Sequence, residues 1–155
     1  GLVRIRFIRE FELVSRFNHT GIVVDDLDRM VSFYCGSLGL TELNRVESIA
    51  PPEGNHTGIP GSSRTLVFVG FEEGHRIELV KYHKPVSAGR DDDMIRLGTN
   101  HICFNVEDIE KVHADLSSKE IEFVTDPIIS FSSSGNRHGI VYARDPEGNW
   151  LEFIE

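Results

Sequence analysis

The sequence predicts an α+β domain made of two copies of one β-α-β-β-β module. Two internal similarities carry this prediction: residues 18–27 resemble residues 100–109, and residues 66–80 resemble residues 140–154. Matched similarities that occur in the same order indicate that one structural unit is used twice in the chain. A chain of 155 residues has the length of one compact domain that contains both copies.

The repeats divide the chain into four expected parts. Module one is expected over residues 17–82 and module two over residues 98–155, joined by a polar linker over residues 83–97. Residues 1–16 form an N-terminal extension in which Arg alternates with Val, Ile and Phe. Alternation of this kind favours an added strand, and the extension lacks the continuous apolar stretch of a signal peptide.

Each module opens with a strand that leads into a helix. Both begin with Asn-His, run through a strand-like stretch and reach an acidic pair followed by an aliphatic residue. Asp25 or Asp26 is suited to cap the first helix, which is expected to end between Gly36 and Gly39, and Asp108 is suited to cap the second. Strands over residues 40–46 and 120–124 are expected to follow the two helices.

Each module closes with a β-hairpin. The turns contain Glu73-Gly74 and Glu147-Gly148, and glycine next to a polar residue is typical of hairpin turns. The last strand of each hairpin carries one glutamate, Glu78 or Glu152.

A long segment rich in Pro, Gly and Ser lies inside module one, over residues 47–63. Loops of this length in compact domains are often functional. Two interpretations stay open at this point: a cover over a substrate site, or a solvated linker.

Composition narrows the range of partners. The formal net charge is -9, which disfavours nucleic acid and anionic lipid, because both reward basic surfaces. No apolar run approaches the roughly 20 residues of a membrane span. Cys35 and Cys103 form no CxxC pair and no disulfide framework, which favours a reducing, cytoplasmic setting. The expected partner is a small molecule.

The repeat places four candidate metal ligands at matched positions: His19 and His101 on the first strands, and Glu78 and Glu152 on the last strands. Two imidazoles and two carboxylates suit Ni, Co, Zn, Mn or Fe(II). Each residue alone has an ordinary structural explanation, since a glutamate between aliphatic residues can be the solvent face of a strand. The repetition of the His and Glu pairing favours a metal site.

The repeated module with this His, Glu, His, Glu set resembles the vicinal oxygen chelate superfamily. The resemblance covers residues 17–155 and is most specific over residues 19–27 and 145–152. It implies that the two modules form a curved mixed-sheet cup, that the four residues bind one divalent metal with two positions open, and that the chain forms a homodimer. Within that superfamily the set is closest to glyoxalase I.

A glyoxalase I-like member implies a metal-dependent isomerase or lyase of the lactoylglutathione lyase type. Its substrate carries vicinal oxygens and loses a carbon-bound proton to give an enediolate that the metal stabilises. Glu152 is the first candidate for the general base and Glu78 the second. Ni, Co and Zn are expected ahead of Mn and Fe, with glutathione or another thiol as cosubstrate. This sequence differs from bacterial glyoxalase I at Val23 and Tyr82, where that enzyme has an Arg and an Asn that help to hold glutathione.

Three other functions stay open. They are an epimerase similar to methylmalonyl-CoA epimerase, an Fe(II) extradiol-type dioxygenase, and a non-catalytic resistance protein that binds a drug or metabolite. An epimerase of the named kind usually has Gln where this chain has Glu78.

Strand alternation predicts which residues line the cup, because residues two apart share a face. Cys103 is expected inside with His101, as a small buried residue rather than an extra ligand or reactive thiol. Trp150 and Phe68 are expected to belong to the core. Arg64 and His138 occupy equivalent positions, where either could hold an anionic substrate or lie on the surface.

Overall fold

The computed structural model describes residues 13–90 and 94–155. Module one contains β1 (His19–Val24), α1 (Leu27–Val31), a π-helical continuation (Ser32–Ser37), β2 (Thr41–Ile49), β3 (Ser63–Gly70) and β4 (Arg76–Lys84). Module two contains β5 (His101–Asn105), α2 (Ile109–Ser118), β6 (Ile128–Phe131), β7 (Arg137–Arg144) and β8 (Trp150–Ile154). The α+β fold of two repeated modules is confirmed.

Each module forms its own four-stranded mixed sheet. The strand order is β1-β4-β3-β2 in module one and β5-β8-β7-β6 in module two. In both sheets the first and last strands of the module pair in parallel, and the other pairings are antiparallel. The two sheets are therefore equivalent in order and direction, as the repeat predicts.

One face of each sheet packs into the core. In module one this face is formed by alternate residues of β3 and β4, such as Val67, Val69 and Leu79, none of which is exposed. The core also contains the helix residues Met30 and Tyr34 and reaches into module two. Since side chains alternate across a strand, the opposite face of each sheet carries the intervening residues, and that face includes the candidate ligands.

Both predicted helix starts are confirmed. The Asp26 carboxylate accepts a hydrogen bond from the backbone N–H of Arg29, and the Asp108 carboxylate accepts one from Lys111. These caps satisfy amides that the first turn of a helix leaves unpaired. No helix in the described ranges is long and apolar enough to cross a bilayer.

The strand predicted over residues 120–124 is wrong. This segment makes one isolated bridge, between Phe123 and Ala143, and the strand that pairs with β7 is β6. Asp126 and Pro127 lie between the two pairings. Proline has no amide hydrogen and restricts the residue before it, so the ladder stops there and resumes at Ile128.

Two other segments differ in extent from their predictions. β2 continues to Ile49, which shortens the Pro- and Gly-rich loop to residues 50–62. That loop is closed at its base by a hydrogen bond from the Ala50 amide to the Ser62 carbonyl, at 2.7 Å. The strand expected in the N-terminal extension is absent from residues 13–18, and residues 1–12 lie outside the described ranges.

A buried hydrogen bond joins the two modules. The Tyr34 hydroxyl, from the π-helical segment, donates to the Asp145 carboxylate at 2.8 Å, and both residues are buried. Burial, followed by the charge of Asp145, raises the pKa of Tyr34 well above its ordinary value, so the hydroxyl stays a donor. Beside it, the Glu147 carboxylate accepts hydrogen bonds from the amides of Asp25 and Asp26.

Replacement of Tyr34 by phenylalanine is expected to destabilise the fold by about 1–3 kcal/mol, because Asp145 then loses a donor inside the protein. Urea unfolding of the full chain measures this change. Tyr82→Phe is the matched control, since the structure records no hydrogen bond for the Tyr82 hydroxyl. Equal stability of the two variants would show that the buried bond does not hold the modules together.

Candidate metal centre

Parallel pairing of β1 with β4 brings His19 beside Glu78. Glu78 lies opposite Gly21, and a β-carbon at Gly21 would sit 3.6 Å from the Glu78 Oε1 atom. Glycine thus leaves room at this point, and the ring of His19 reaches Glu78 with 3.6 Å between Nε2 and Oε2. The Glu78 side chain is 16% exposed, and His19 is more open.

Module two repeats this arrangement. Glu152 lies opposite Cys103 on the parallel pair of β5 and β8, and the His101 Nε2 atom is 3.0 Å from the Glu152 Oε2 atom. Here too the glutamate is the more buried of the two side chains. We call His19 with Glu78 half-site one, and His101 with Glu152 half-site two.

An aromatic ring orients each histidine. Phe68 meets the His19 ring edge-on with 5.4 Å between centroids, and Tyr142 meets the His101 ring in the same way at 5.3 Å. Phe68 and Tyr142 occupy equivalent places on β3 and β7, directly opposite the two glutamates. The repeat therefore extends to the side chains around each half-site, with a phenol in one module where the other has a phenyl ring.

The Asn18 side chain contacts the ring of His19. Its carbonyl oxygen lies 2.6 Å from the His19 Nδ1 atom. A carbonyl oxygen can only accept, so Nδ1 is the donor in this contact, and Nε2 is the ring nitrogen turned toward Glu78. An acceptor behind the ring is the arrangement found in metal-binding histidines.

The four predicted ligands come together as two pairs. Over residues 13–90 and 94–155, no group of three or more His, Cys, Asp or Glu side chains is placed to hold a metal ion. Each half-site offers one imidazole nitrogen and one carboxylate on the face of its sheet that lies opposite the core.

The environment of Cys103 differs from its prediction. The residue shares the face of His101 and Glu152, as expected, but it is exposed rather than buried. Its strand, β5, lies at the edge of the sheet, where fewer neighbouring side chains cover an outward-facing residue than on the central strand β8, which carries the more buried Glu152. Partial burial and the nearby Glu152 raise the pKa of the Cys103 thiol, so it is a protonated thiol near neutral pH rather than an activated nucleophile.

Tyr142 is a site residue that the sequence reasoning missed. Burial and then the charge of Glu152 raise the pKa of its phenol. The sequence did contain a sign of this role: Tyr142 aligns with Phe68 in the two repeats, and each stands opposite a candidate ligand.

Phe68 and Trp150 differ in burial. Phe68 is half-buried, and Trp150 is buried under the Arg144 guanidinium, which lies 4.1 Å from the centroid of the Trp150 ring.

Aliphatic side chains on the same two faces are exposed. Val23 and Val46 lie on the face of half-site one, and Ile128 and Ile140 lie on the face of half-site two. Val23 is 55% exposed and Ile128 is 56% exposed. Apolar side chains next to polar ligands are typical of a surface that another molecule covers.

The two positions suggested for anion binding differ in burial. Arg64 is buried on the face of half-site one, whereas its counterpart His138 is exposed on β7. Their equivalence in the repeat gave no sign of this difference.

Comparison with known proteins gives a consistent result. The model of the Glyoxalase/Bleomycin resistance protein/Dioxygenase superfamily matches residues 16–153. The lactoylglutathione lyase of Haemophilus influenzae is 32% identical over 146 residues, which cover 88% of this chain and 90% of that protein. The uncharacterized protein YwbC of Bacillus subtilis is 25% identical over 92% of this chain and 99% of its own length.

A solved structure agrees at the level of the fold. The crystal structure of a glyoxalase family protein from Bacillus cereus matches with a TM-score of 0.83 and 23% identity, covering 96% of this chain and 98% of the other. The family match spans both modules and all four candidate ligands. The chain therefore belongs to the glyoxalase, bleomycin resistance protein and dioxygenase superfamily.

Proposed function

We propose that the protein is a divalent-metal-dependent isomerase or lyase of the lactoylglutathione lyase type. The observation that carries this proposal is the pair of equivalent half-sites, each with an imidazole nitrogen within 3.6 Å of a carboxylate oxygen on the sheet face opposite the core. The lactoylglutathione lyase of Haemophilus influenzae supplies the reaction type by its similarity to this chain.

The donor set fits a metal ion. Imidazole nitrogen and carboxylate oxygen suit Ni, Co, Zn, Mn and Fe(II), and the contact of the His19 Nδ1 atom with Asn18 leaves Nε2 as the nitrogen that would bind. Two carboxylates would neutralise the charge of a divalent ion. When bound, such an ion acts as a Lewis acid toward substrate oxygens.

We propose that the four ligands meet in a homodimer, in which half-site one of one copy faces half-site two of the other. A two-fold axis makes both contacts identical and gives two sites for two chains. The exposed aliphatic residues around each half-site support this arrangement, because such a dimer would remove them from water.

The two glutamates are the candidates for proton transfer. A carboxylate of one half-site would take the proton from a carbon next to a substrate carbonyl and return it to the neighbouring carbon. Glu152 stays the first candidate. It lies beside the phenol of Tyr142 and the thiol of Cys103, whereas Glu78 lies beside Gly21.

The thiol part of the substrate is left open within this proposal. Val23 and Tyr82 replace the Arg and Asn that hold glutathione in bacterial glyoxalase I. The hemithioacetal of methylglyoxal with glutathione is the first substrate to test, and hemithioacetals with other thiols follow.

Metal content gives the first prediction. The full chain is expected to bind about one divalent ion per protomer, because a two-fold dimer has one such site for each chain. Plasma mass spectrometry of the purified protein measures this value. His101→Ala and Glu78→Ala are expected to lose the ion, while His138→Ala, which removes an exposed histidine from the same sheet, is expected to keep it. Full metal in the ligand variants would refute the site.

A mixing experiment tests whether the site is shared between chains. Glu78→Ala and Glu152→Ala each remove one ligand from both sites of their own homodimer. Heterodimers would contain one site with all four ligands and one that lacks two, so an equal mixture refolded together should regain about a quarter of the wild-type sites. A mixture that regains no metal binding would show that the ligands do not meet across a dimer.

Isomerase activity gives a third prediction. Glu152→Gln keeps an oxygen ligand but cannot accept a proton, so kcat is expected to fall by about 10²–10⁴-fold while KM changes little. Thioester formation from methylglyoxal and a thiol, followed by absorbance, measures this. A larger loss in Glu78→Gln than in Glu152→Gln would assign the base to Glu78 instead.

A further inference from the structure

Arg64 lies on the same sheet face as half-site one. In the register of β3 and β4, Phe68 stands opposite Glu78, Leu66 opposite Val80 and Arg64 opposite Tyr82. These positions alternate onto one face. The step from Glu78 to Tyr82 is four residues along one strand, which places Arg64 about 13 Å along the sheet from the half-site.

The charge of Arg64 is buried without a counter-ion. The residue is 8% exposed, and over the described ranges no carboxylate forms an ion pair with it. Its Nη2 atom donates to the Ser48 hydroxyl at 3.2 Å, and the guanidinium lies 5.8 Å from the Tyr82 ring centroid. The Nε atom is buried and has no hydrogen-bond partner.

This state is costly for an arginine whose role is only structural. Buried charges in folded proteins are normally paired, because removal of a charge from water without a partner destabilises the fold. Arg45, on the neighbouring strand, shows the ordinary case, since it is exposed and donates to Glu42 at 2.8 Å. Nearby groups do not explain why Arg64 is kept in this position.

Other unsatisfied donors occur at the same end of the sheet. Ser62 directly precedes β3, and Ser87 follows the end of β4 by three residues; the hydroxyl of each is buried without a partner. Lys84 pairs with Ser63 in the register, so the two segments leave the sheet side by side. Of these donors, the guanidinium has the geometry that best matches an oxyanion.

We propose that Arg64 is an anion-binding residue for the end of the substrate that lies away from the reacting carbons. The ligand it fits is a carboxylate or a phosphate group, which would supply the acceptors that the guanidinium lacks. This inference rests on the proposed function for the reaction, and it narrows the substrate class to small anionic molecules.

Anion titration of the full chain tests the proposal. The probes are inorganic phosphate and propionate, with propionamide as the uncharged match for propionate, and the readout is the NMR signal of the Arg64 Nε–H group. A saturable shift with phosphate, with propionate or with both is expected, and none with propionamide. The anion that gives the larger shift shows whether Arg64 prefers a phosphate or a carboxylate group. No saturable shift with either anion would overturn the proposal.

Thermal unfolding of variants separates anion binding from a structural role. Without anion, Arg64→Met is expected to melt at or above the wild-type temperature, because it removes an unpaired buried charge. It should also lose the rise in Tm that the preferred anion gives the wild type. Arg45→Met, the matched control, should keep that rise. A clear fall in Tm for Arg64→Met without anion would assign Arg64 a structural role.

The same titration after chelator treatment keeps the two proposals apart. Anion binding at Arg64 should survive removal of any metal ion, since the residue is four positions from the half-site along the sheet. A response that disappears with the metal would mean that the anion binds the ion and not Arg64. If the protein binds no metal or has no isomerase activity but still shows the anion-induced shift, the proposed function is refuted and the anion site stands.

Discussion

The candidate site depends on the parallel pairing of the first and last strands in each module. This pairing sets His19 next to Glu78 and His101 next to Glu152, although about 50 to 60 residues separate the members of each pair in the sequence. A slip of one residue would turn one member of each pair to the other face. The helix between the strands makes the parallel connection possible, and its capping aspartates fix where that connection turns.

A second constraint is that each sheet has two unlike faces. Burial of Val67, Val69 and Leu79 against the helices stabilises one face, so polar ligands can occupy the other without loss of the core. The cost of this division is that aliphatic residues such as Val23 and Ile140 stay in water. Fold stability and the candidate chemistry therefore lie on opposite sides of the same strands.

Much of the architecture could be predicted from the sequence, because the repeat is visible in residue types that have strong local preferences. Asp26 and Asp108 cap helices by their chemistry alone, and the turns at Gly74 and Gly148 need the positive φ that glycine adopts at both places. The strand at residues 120–124 could not be placed correctly, since its ladder stops at a proline after one bridge. Which segment pairs with β7 depends on long-range strand register, which the local sequence does not determine.

The site itself was predictable only in part. Alternation placed Cys103 and Glu152 on one face, but it could not show whether that face is covered, so the exposure of Cys103 was missed. The burial of Arg64 was also invisible, because its surroundings come from Ser48 and Tyr82 on two other strands. An alternating sequence pattern predicts which face of a strand a side chain occupies. How deeply that side chain is buried depends on segments that are distant in the sequence.

The difference between Phe68 and Tyr142 has a stereochemical consequence. Two half-sites that matched in every side chain would present the same groups to both faces of a planar substrate carbon. In the site proposed above, a phenol hydroxyl beside Glu152, with only a phenyl ring beside Glu78, would make those two faces unequal. In the proposed shared site, two similar halves would in this way give a handed environment through small differences, the Tyr142 hydroxyl and the Cys103 side chain opposite Glu152 where Gly21 stands opposite Glu78.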